Sequence, residues 1–136
     1  MSDTTAPPLR TSPDYRPGAI VHVVLFRFRD STSAEERQEV ERRFHALADG
    51  VRHGRRYIRS IRSGAQISPE DAGHGFELGF VVEFSSEGDR NYYLGRPVVG
   101  DSDDFDPDHD AFKRFVAPLV APDGAGVLTF DLHAGA

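Results

Sequence analysis

The sequence predicts a single α+β domain in which a four-stranded antiparallel sheet carries its helices on one face. The 136 residues suit one domain. Segments rich in β-branched and aromatic residues alternate with segments of helical spacing, in the order βαββαβ. That order usually folds as the split βαβ, or ferredoxin-like, arrangement.

The first predicted strand, from Ala19 to Arg29, reads AIVHVVLFRFR. Its β-branched and aromatic residues disfavour a helix, and Gly18 and Asp30 bound it. One face carries Val21, Val23 and Leu25, and the other carries His22, Val24, Phe26 and Phe28. Because helices on one side leave the other apolar face bare, we expect a second copy to cover it in a homodimer.

The next segment predicts a helix. Ser33 followed three residues later by Glu36 is a capping-box pattern, in which the two side chains satisfy free amides at a helix start. An apolar stripe follows at helical spacing, and Gly50 is the expected stop. The stripe consists of Val40, Phe44, Leu47 and Val51.

The rest of the chain completes the pattern. A polar strand from Tyr57 to Ile67 is expected at a sheet edge, with a bulge or bend at Gly64. From Phe76 to Phe84 the residues alternate, so that one face is heavily apolar. Helices are predicted over 87–94 and 108–119, and a last strand over 126–132.

Composition narrows the function classes. The net charge of −6, with dispersed arginines, argues against nucleic acid as a partner. The absence of cysteine removes disulfides and thiolate chemistry and suits a cytoplasmic protein. No apolar run approaches the roughly 18 to 20 residues of a membrane helix. Residues 1–18 are rich in proline and poor in apolar residues, so we expect a flexible arm before a domain over 19–133.

Several segments together resemble the stress-responsive dimeric α+β barrel family, often called Dabb. They are IVHVVLFRF, YIRSIRSG, FELGFVVEF with a following Tyr and Pro, and LTFDL, and they extend from about Ile20 to Leu132. The resemblance implies a homodimer whose two ferredoxin-like sheets face each other as a barrel. The family includes stress-related proteins without assigned chemistry and enzymes such as olivetolic acid cyclase.

The cyclase-like members imply catalytic positions here. Their first-strand His corresponds to His22, and their terminal Asp corresponds to Asp131. Their Tyr before a Pro corresponds to Tyr93, with the adjacent Tyr92 as the alternative. Their second His falls on Val99, but an insertion of VVGDSDDFDP would bring His109 to the same place.

These residue types suit enolate chemistry. His109 is the first candidate for a general base that removes a proton next to a carbonyl. The Tyr93 hydroxyl would stabilise the enolate, and Asp131 would hold the imidazole in one tautomer. Arg96 could bind a carboxylate or phenolate, and an apolar wall would take the substrate. The expected substrate-binding residues are Arg96, Tyr92, Phe26, Phe44, Phe80 and Val82.

The resemblance therefore implies a cyclase or lyase-like enzyme that acts on an apolar carbonyl compound without a cofactor or metal. A non-catalytic stress-responsive or ligand-binding homodimer is the alternative, and an oxygen-using monooxygenase is a third possibility. His22 could instead be a satisfied core group, His109 could equally start a helix beside solvent, and Tyr92 and Tyr93 could be packing residues. The acidic loop over 101–110 could bind a hard cation or act as a lid over the pocket.

Overall fold

The computed structural model describes residues 9–100 and 104–135. The strands are β1 (Pro17–Phe26), β2 (Val51–Arg52), β3 (Arg55–Arg56), β4 (Ile58–Ala65), β5 (Leu78–Ser86) and β6 (Val127–His133). The helices are α1 (Ala34–Ala46), α2 (Glu87–Leu94) and α3 (Pro107–Val116). Short 3-10 turns over Leu47–Asp49 and Ala117–Leu119 extend α1 and α3. Apart from the β2–β3 hairpin, the order is the predicted βαββαβ.

The main sheet has four antiparallel strands in the order β4-β5-β1-β6, which is the ferredoxin-like topology predicted from the sequence. The central strand β1 fixes the register of the site. On β1, His22 lies opposite Val82 of β5 on one side and Asp131 of β6 on the other. Because paired residues share a face, His22 and Asp131 project to the same side of the sheet.

The core lies between this face and the helices. The rings of Phe44 from α1 and Phe80 from β5 stack with centroids 3.8 Å apart. Phe26 and Phe112 pack edge-on or tilted around them. Such aromatic packing adds to the free energy gained by removing the rings from water.

The predicted capping box of α1 is present. The Ser33 hydroxyl accepts from the Glu36 amide, and the Glu36 carboxylate accepts from the Ser33 amide. Val40, Phe44 and Leu47 are buried as expected, but Val51 is 60% exposed. The helix stops before Val51 and the chain enters the β2–β3 hairpin, so the helical spacing no longer applies there.

The opposite face of the sheet is open, and the part of it formed by β1 and β6 is apolar. On β1 its residues are half-buried, and on β6 they are exposed, with Phe130 at 61%. The register aligns these side chains in cross-strand pairs. The pairs are Val21 with Leu132, Val23 with Phe130, and Leu25 with Leu128.

Two local features differ from the sequence prediction. The register irregularity of β4 falls between Ile58 and Ser60, whereas Gly64 pairs regularly with Gly79. Of the expected flexible arm, residues 1–8 lie outside the described part, and residues 9–16 contact the domain. The carbonyl of Arg10 accepts from the Asn91 side chain, and the amides of Glu87 and Gly88 donate to carbonyls of this segment.

Candidate functional site

The polar centre of the candidate site is a hydrogen-bonded group formed by His22, Asp131 and Arg90. The Nδ1 of His22 lies 2.6 Å from Oδ1 of Asp131. Arg90 of α2 donates from Nη1 to the other carboxylate oxygen at 2.7 Å. Burial alone would raise the pKa of Asp131, but the hydrogen bonds and charges of His22 and Arg90 lower it. The carboxylate is therefore ionised at neutral pH.

This arrangement fixes the tautomer of His22. An ionised carboxylate only accepts hydrogen bonds, so the Nδ1 of His22 must carry the hydrogen. In the neutral ring, Nε2 then holds the lone pair. A carboxylate that orients an imidazole in this way also stabilises the imidazolium formed when Nε2 takes up a proton.

The second histidine reaches the site from α3. Asp106 caps this helix by accepting from the amides of Asp108 and His109, and Pro107 occupies its first turn. The ring of His109 stacks on the ring of Tyr93 with centroids 3.8 Å apart, and its Nδ1 lies 2.5 Å from the Tyr93 carbonyl. The carbonyl is an acceptor, so Nδ1 of His109 carries the hydrogen and donates it. In the neutral ring, Nε2 then carries no hydrogen.

Burial controls the charge of His109. Desolvation lowers its pKa to about 3, although the bond to the Tyr93 carbonyl opposes this shift. His109 is therefore neutral at pH 7. As a neutral ring it can accept a hydrogen bond through Nε2, but it binds a proton weakly.

A cavity of about 730 Å³ opens beside the two histidines. It lies between the helix-facing side of β1 and β6 and the helix α3, beside a part of β6 that the helices leave exposed. Most of its wall is apolar. The apolar lining residues include Val24, Phe26, Phe44, Leu94, Phe112, Val116 and Val120.

The positively charged side chain of Lys113 also lines this cavity. The ammonium of Lys113 donates to the carbonyls of Leu94 and Arg96. Burial lowers the pKa of Lys113. An ammonium has three hydrogens, so two carbonyls leave one for a ligand oxygen.

The structure brings together some of the predicted site residues. His22, His109, Phe26 and Phe44 line the cavity. Asp131 is hydrogen-bonded to His22, and not to His109 as predicted from the sequence. Phe80 and Val82 are completely buried in the core and do not line it.

Tyr93 lies between the two histidines. Its ring contacts His22 edge-on at 5.7 Å and His109 face-on. Its hydroxyl is buried and has no hydrogen-bond partner among the described residues, and burial raises its pKa. Tyr93 is not among the residues that line the cavity.

Tyr92 and Arg96 lie elsewhere. The Tyr92 ring packs edge-on against Tyr57 and holds the guanidinium of Arg52 at 3.9 Å. Arg96 is exposed, with its guanidinium 5.2 Å from the Phe105 ring. Neither residue lines the cavity.

The acidic loop has a partly structural role. Of the loop over 101–110, which was predicted to bind a cation or to act as a lid, residues 101–103 lie outside the described residues. Asp106 caps α3 and accepts from the Tyr57 hydroxyl, and Asp110 pairs with Arg114. Over 9–100 and 104–135, no three His or carboxylate side chains are grouped to hold a metal ion. No helix in the same ranges could span a membrane.

A family model described as Dabb, Stress responsive A/B Barrel Domain, matches residues 20–133. This chain belongs to the Dabb family. The match covers all four strands of the main sheet almost completely and includes His22, Tyr93, His109 and Asp131. No curated protein matches the chain.

Solved structures share the fold of this Dabb protein. A Dabb family protein with a ferredoxin-like fold from Mesorhizobium loti is 22% identical, with a TM-score of 0.62 over 88% of this chain and 99% of that one. A hydroxynitrile lyase from Passiflora edulis is 15% identical, with a TM-score of 0.67 over 88% and 95%. A dimeric ferredoxin-like protein of unknown function from Jannaschia is 16% identical, with a TM-score of 0.65 over 86% and 100%.

Two residues of the Dabb site were missed from the sequence. Arg90 lies in a polar run, EGDRNYYL, where nothing distinguishes it from a surface charge. Lys113 sits one residue after Phe112, on the helix that carries His109. Helical spacing provides a signal for Lys113, because residues four apart share a helix face and His109 precedes it by four.

Proposed function

We propose that this Dabb protein is a cofactor-independent proton-transfer enzyme of the cyclase or lyase type, acting on a small apolar carbonyl compound. The observation that carries this proposal is the His22–Asp131 pair beside an apolar cavity. A carboxylate-oriented imidazole supplies a general base, and apolar walls suit a hydrophobic substrate.

In the proposed reaction, His22 rather than His109 is the base. The unprotonated Nε2 of His22 takes a proton from the carbon next to a carbonyl of the substrate. The C–H electron pair moves onto the carbonyl oxygen as an enolate, and the imidazolium is stabilised by Asp131. The enolate then attacks a second carbonyl of the same molecule, and the proton returns to the new alkoxide. No electron is gained or lost.

The neighbouring groups have supporting roles in this scheme. Lys113 has a hydrogen available for the enolate oxygen. His109 is neutral and offers Nε2 as a hydrogen-bond acceptor that orients a substrate hydroxyl. Tyr93 positions both imidazoles through its ring.

We also propose that the protein works as a homodimer. The open sheet face carries apolar side chains of β1 and β6, which a second copy would cover. The Jannaschia protein, which shares the fold, is described as dimeric. Two sheets facing each other would form the α+β barrel that gives the family its name.

Proton exchange tests this function without requiring the natural product. The full-length protein is incubated in D₂O with a set of apolar β-keto thioesters, and α-deuteration is followed by NMR. We expect His22→Gln to reduce the exchange rate by roughly 10²-fold or more. The matched control is His133→Gln, on the exposed surface of β6. Full exchange activity in His22→Gln would reject His22 as the base.

A non-catalytic ligand-binding function is the second candidate. The buried, unpartnered Tyr93 hydroxyl and the low pKa of His109 favour it, because neither group is placed as a strong catalyst. In that case the protein would bind apolar carbonyl compounds in the cavity, and the wild type would give no exchange above the buffer rate.

A further inference from the structure

A second pocket, of about 520 Å³, lies at the β2–β3 hairpin and shares no lining residue with the cavity of the proposed active site. We propose that this pocket binds the phosphate group of a small phosphate monoester. Its lining is strongly basic. The charged and ionisable residues are Arg52, Arg55, Arg56, Arg59, His53, Asp14 and Asp89.

Arg52 anchors the pocket. It is only 8% exposed, and its Nη1 donates to Asp89 at 3.1 Å while its Nη2 donates to the Thr11 carbonyl at 2.7 Å. Its guanidinium also lies over the Tyr92 ring. A buried guanidinium with three fixed contacts does not need to be ordered when a ligand binds, so the site is preorganised.

The hairpin places a second arginine directly opposite the first. Arg52 and Arg55 are register partners, joined by the two-residue turn His53–Gly54. Both turn residues have positive φ, 52° and 78°, which is the backbone of a tight type I′ hairpin and is easily adopted by glycine. Asp89 compensates the charge of Arg52, and Arg55 beside it is exposed, so the guanidinium of Arg55 is open to an anion.

The residues that line the pocket include four arginines and two carboxylates, Asp14 and Asp89. Asp89 is paired with Arg52, Asp49 pairs with Arg56 at 3.1 Å, and Glu83 reaches Arg59 only at 3.9 Å. No ion pair of Arg55 occurs within 9–100 and 104–135. Arg55 is therefore the guanidinium that is available to an anion, and Asp14 is the carboxylate that opposes its binding.

A phosphate monoester fits this chemistry better than the other anions. Guanidinium groups bind phosphate oxygens in a bidentate manner, and a dianion can engage more than one of them. Pro13, Tyr57 and Ile58 give part of the wall an apolar surface for the organic part of an ester. A nucleic acid would require a longer basic track than this single hairpin provides.

Asp14 allows a test in which the affinity should increase. Its carboxylate lines the same pocket, so it repels a phosphate. We therefore expect Asp14→Asn to bind the ligand more tightly and Arg55→Gln to bind it more weakly. Both side chains are exposed, so neither substitution disturbs the core.

The experiment titrates the full-length protein with phenyl phosphate and, separately, with inorganic phosphate at constant ionic strength, using amide chemical shifts of residues 52–59 as the readout. Arg55→Gln should weaken phenyl phosphate binding about tenfold, and Asp14→Asn should strengthen it about twofold. Arg42→Gln, an exposed arginine of α1 outside the pocket, is the matched control and should bind as the wild type does.

The result expected is a localised shift of the hairpin amides, with phenyl phosphate binding more tightly than inorganic phosphate. Equal weakening in Arg55→Gln and Arg42→Gln would overturn the site, because it would show only a general charge effect. Equal affinities for the two ligands would overturn the monoester assignment. This test does not involve His22 or the cavity, so its outcome is independent of the proposed enzyme activity.

Discussion

The Nδ1 of His22 lies 2.6 Å from Oδ1 of Asp131, and the two residues are direct register partners on neighbouring strands. The sheet itself therefore aligns the imidazole with the carboxylate. Arg90 holds the second carboxylate oxygen from α2, so that three separate elements converge on one charge.

Replacing Asp131 by Asn should remove the carboxylate that orients the His22 ring. An amide is uncharged and can present its NH₂ group to Nδ1, which would favour the other tautomer of His22. We expect a loss of about 1–2 kcal/mol in the free energy of unfolding at pH 7 and a shift of His22 toward the Nε2–H form. Urea unfolding measures the first effect, and long-range ¹H–¹⁵N spectra at alkaline pH measure the second.

The control for this prediction is Asp49→Asn, which removes an exposed ion pair with Arg56 and should leave stability unchanged. If Asp131→Asn retains the Nδ1–H tautomer of His22, the carboxylate is not what orients the ring.

The buried His109 should make stability depend on pH. Desolvation lowers its pKa to about 3 in the folded protein, against about 6.5 in the unfolded chain. The unfolded state therefore binds the proton first, and stability falls as pH decreases below about 6.5. The loss from this group by pH 5 is roughly 2 kcal/mol. His109→Gln should remove that part of the pH dependence.

Urea unfolding at pH 7 and pH 5 checks this expectation, with His133→Gln as the exposed control. The difference in unfolding free energy between the two pH values should shrink in His109→Gln and stay the same in His133→Gln. An unchanged pH difference in His109→Gln would show that the ring is not held neutral by burial.

Two buried tyrosines offer a matched pair of substitutions. The Tyr57 hydroxyl donates to Asp106, whereas the Tyr93 hydroxyl has no partner among the described residues. Removing a hydroxyl that bonds a charged group costs about 1.5–3 kcal/mol, but removing an unsatisfied one is neutral or stabilising. Tyr57→Phe should therefore lower the melting temperature, and Tyr93→Phe should keep or raise it.

Calorimetry of the two variants measures the difference directly. A large destabilisation of Tyr93→Phe would mean that its hydroxyl has a partner in solution, and it would revive the direct role in enolate stabilisation that the family resemblance implies for Tyr93.

The proposed dimer depends on the open face of the sheet. Phe130 is 61% exposed and lies opposite Val23, in the middle of the edge strand β6. Phe130→Arg would place a charge in an apolar interface, so we expect it to convert the dimer to a monomer. Light scattering after size-exclusion chromatography gives the mass.

Val51→Arg is the matched control for the interface, because Val51 is 60% exposed, much as Phe130 is, but lies in the β2–β3 hairpin. A wild type that elutes as a monomer, or a Phe130→Arg variant that remains dimeric, would contradict this arrangement.

Much of the fold follows from local patterns in the sequence. The alternation of Leu78, Phe80, Val82 and Phe84 places one row under the helices, and the Ser33–Glu36 pair marks the start of α1. These signals depend on neighbouring residues only. The β2–β3 hairpin was missed because VRHGRR contains only two strand residues on each side of its turn.

The site was only partly predictable. The residue types were identified, but the wrong histidine was assigned to Asp131, because a resemblance supplies roles without distances. Tyr92 and Tyr93 are adjacent in the sequence, yet one packs against Arg52 and the other lies between His22 and His109.

The sequence by itself determined the order of the elements, the apolar faces and the choice of His22 and His109 as candidates among six histidines, since each depends on periodicity, residue type or family resemblance. Only the tertiary structure decided which groups meet. The bond between His22 and Asp131 spans 109 residues, and the one between His109 and Tyr93 spans 16. Strand register and helix packing set those contacts, and both are properties of the folded chain as a whole.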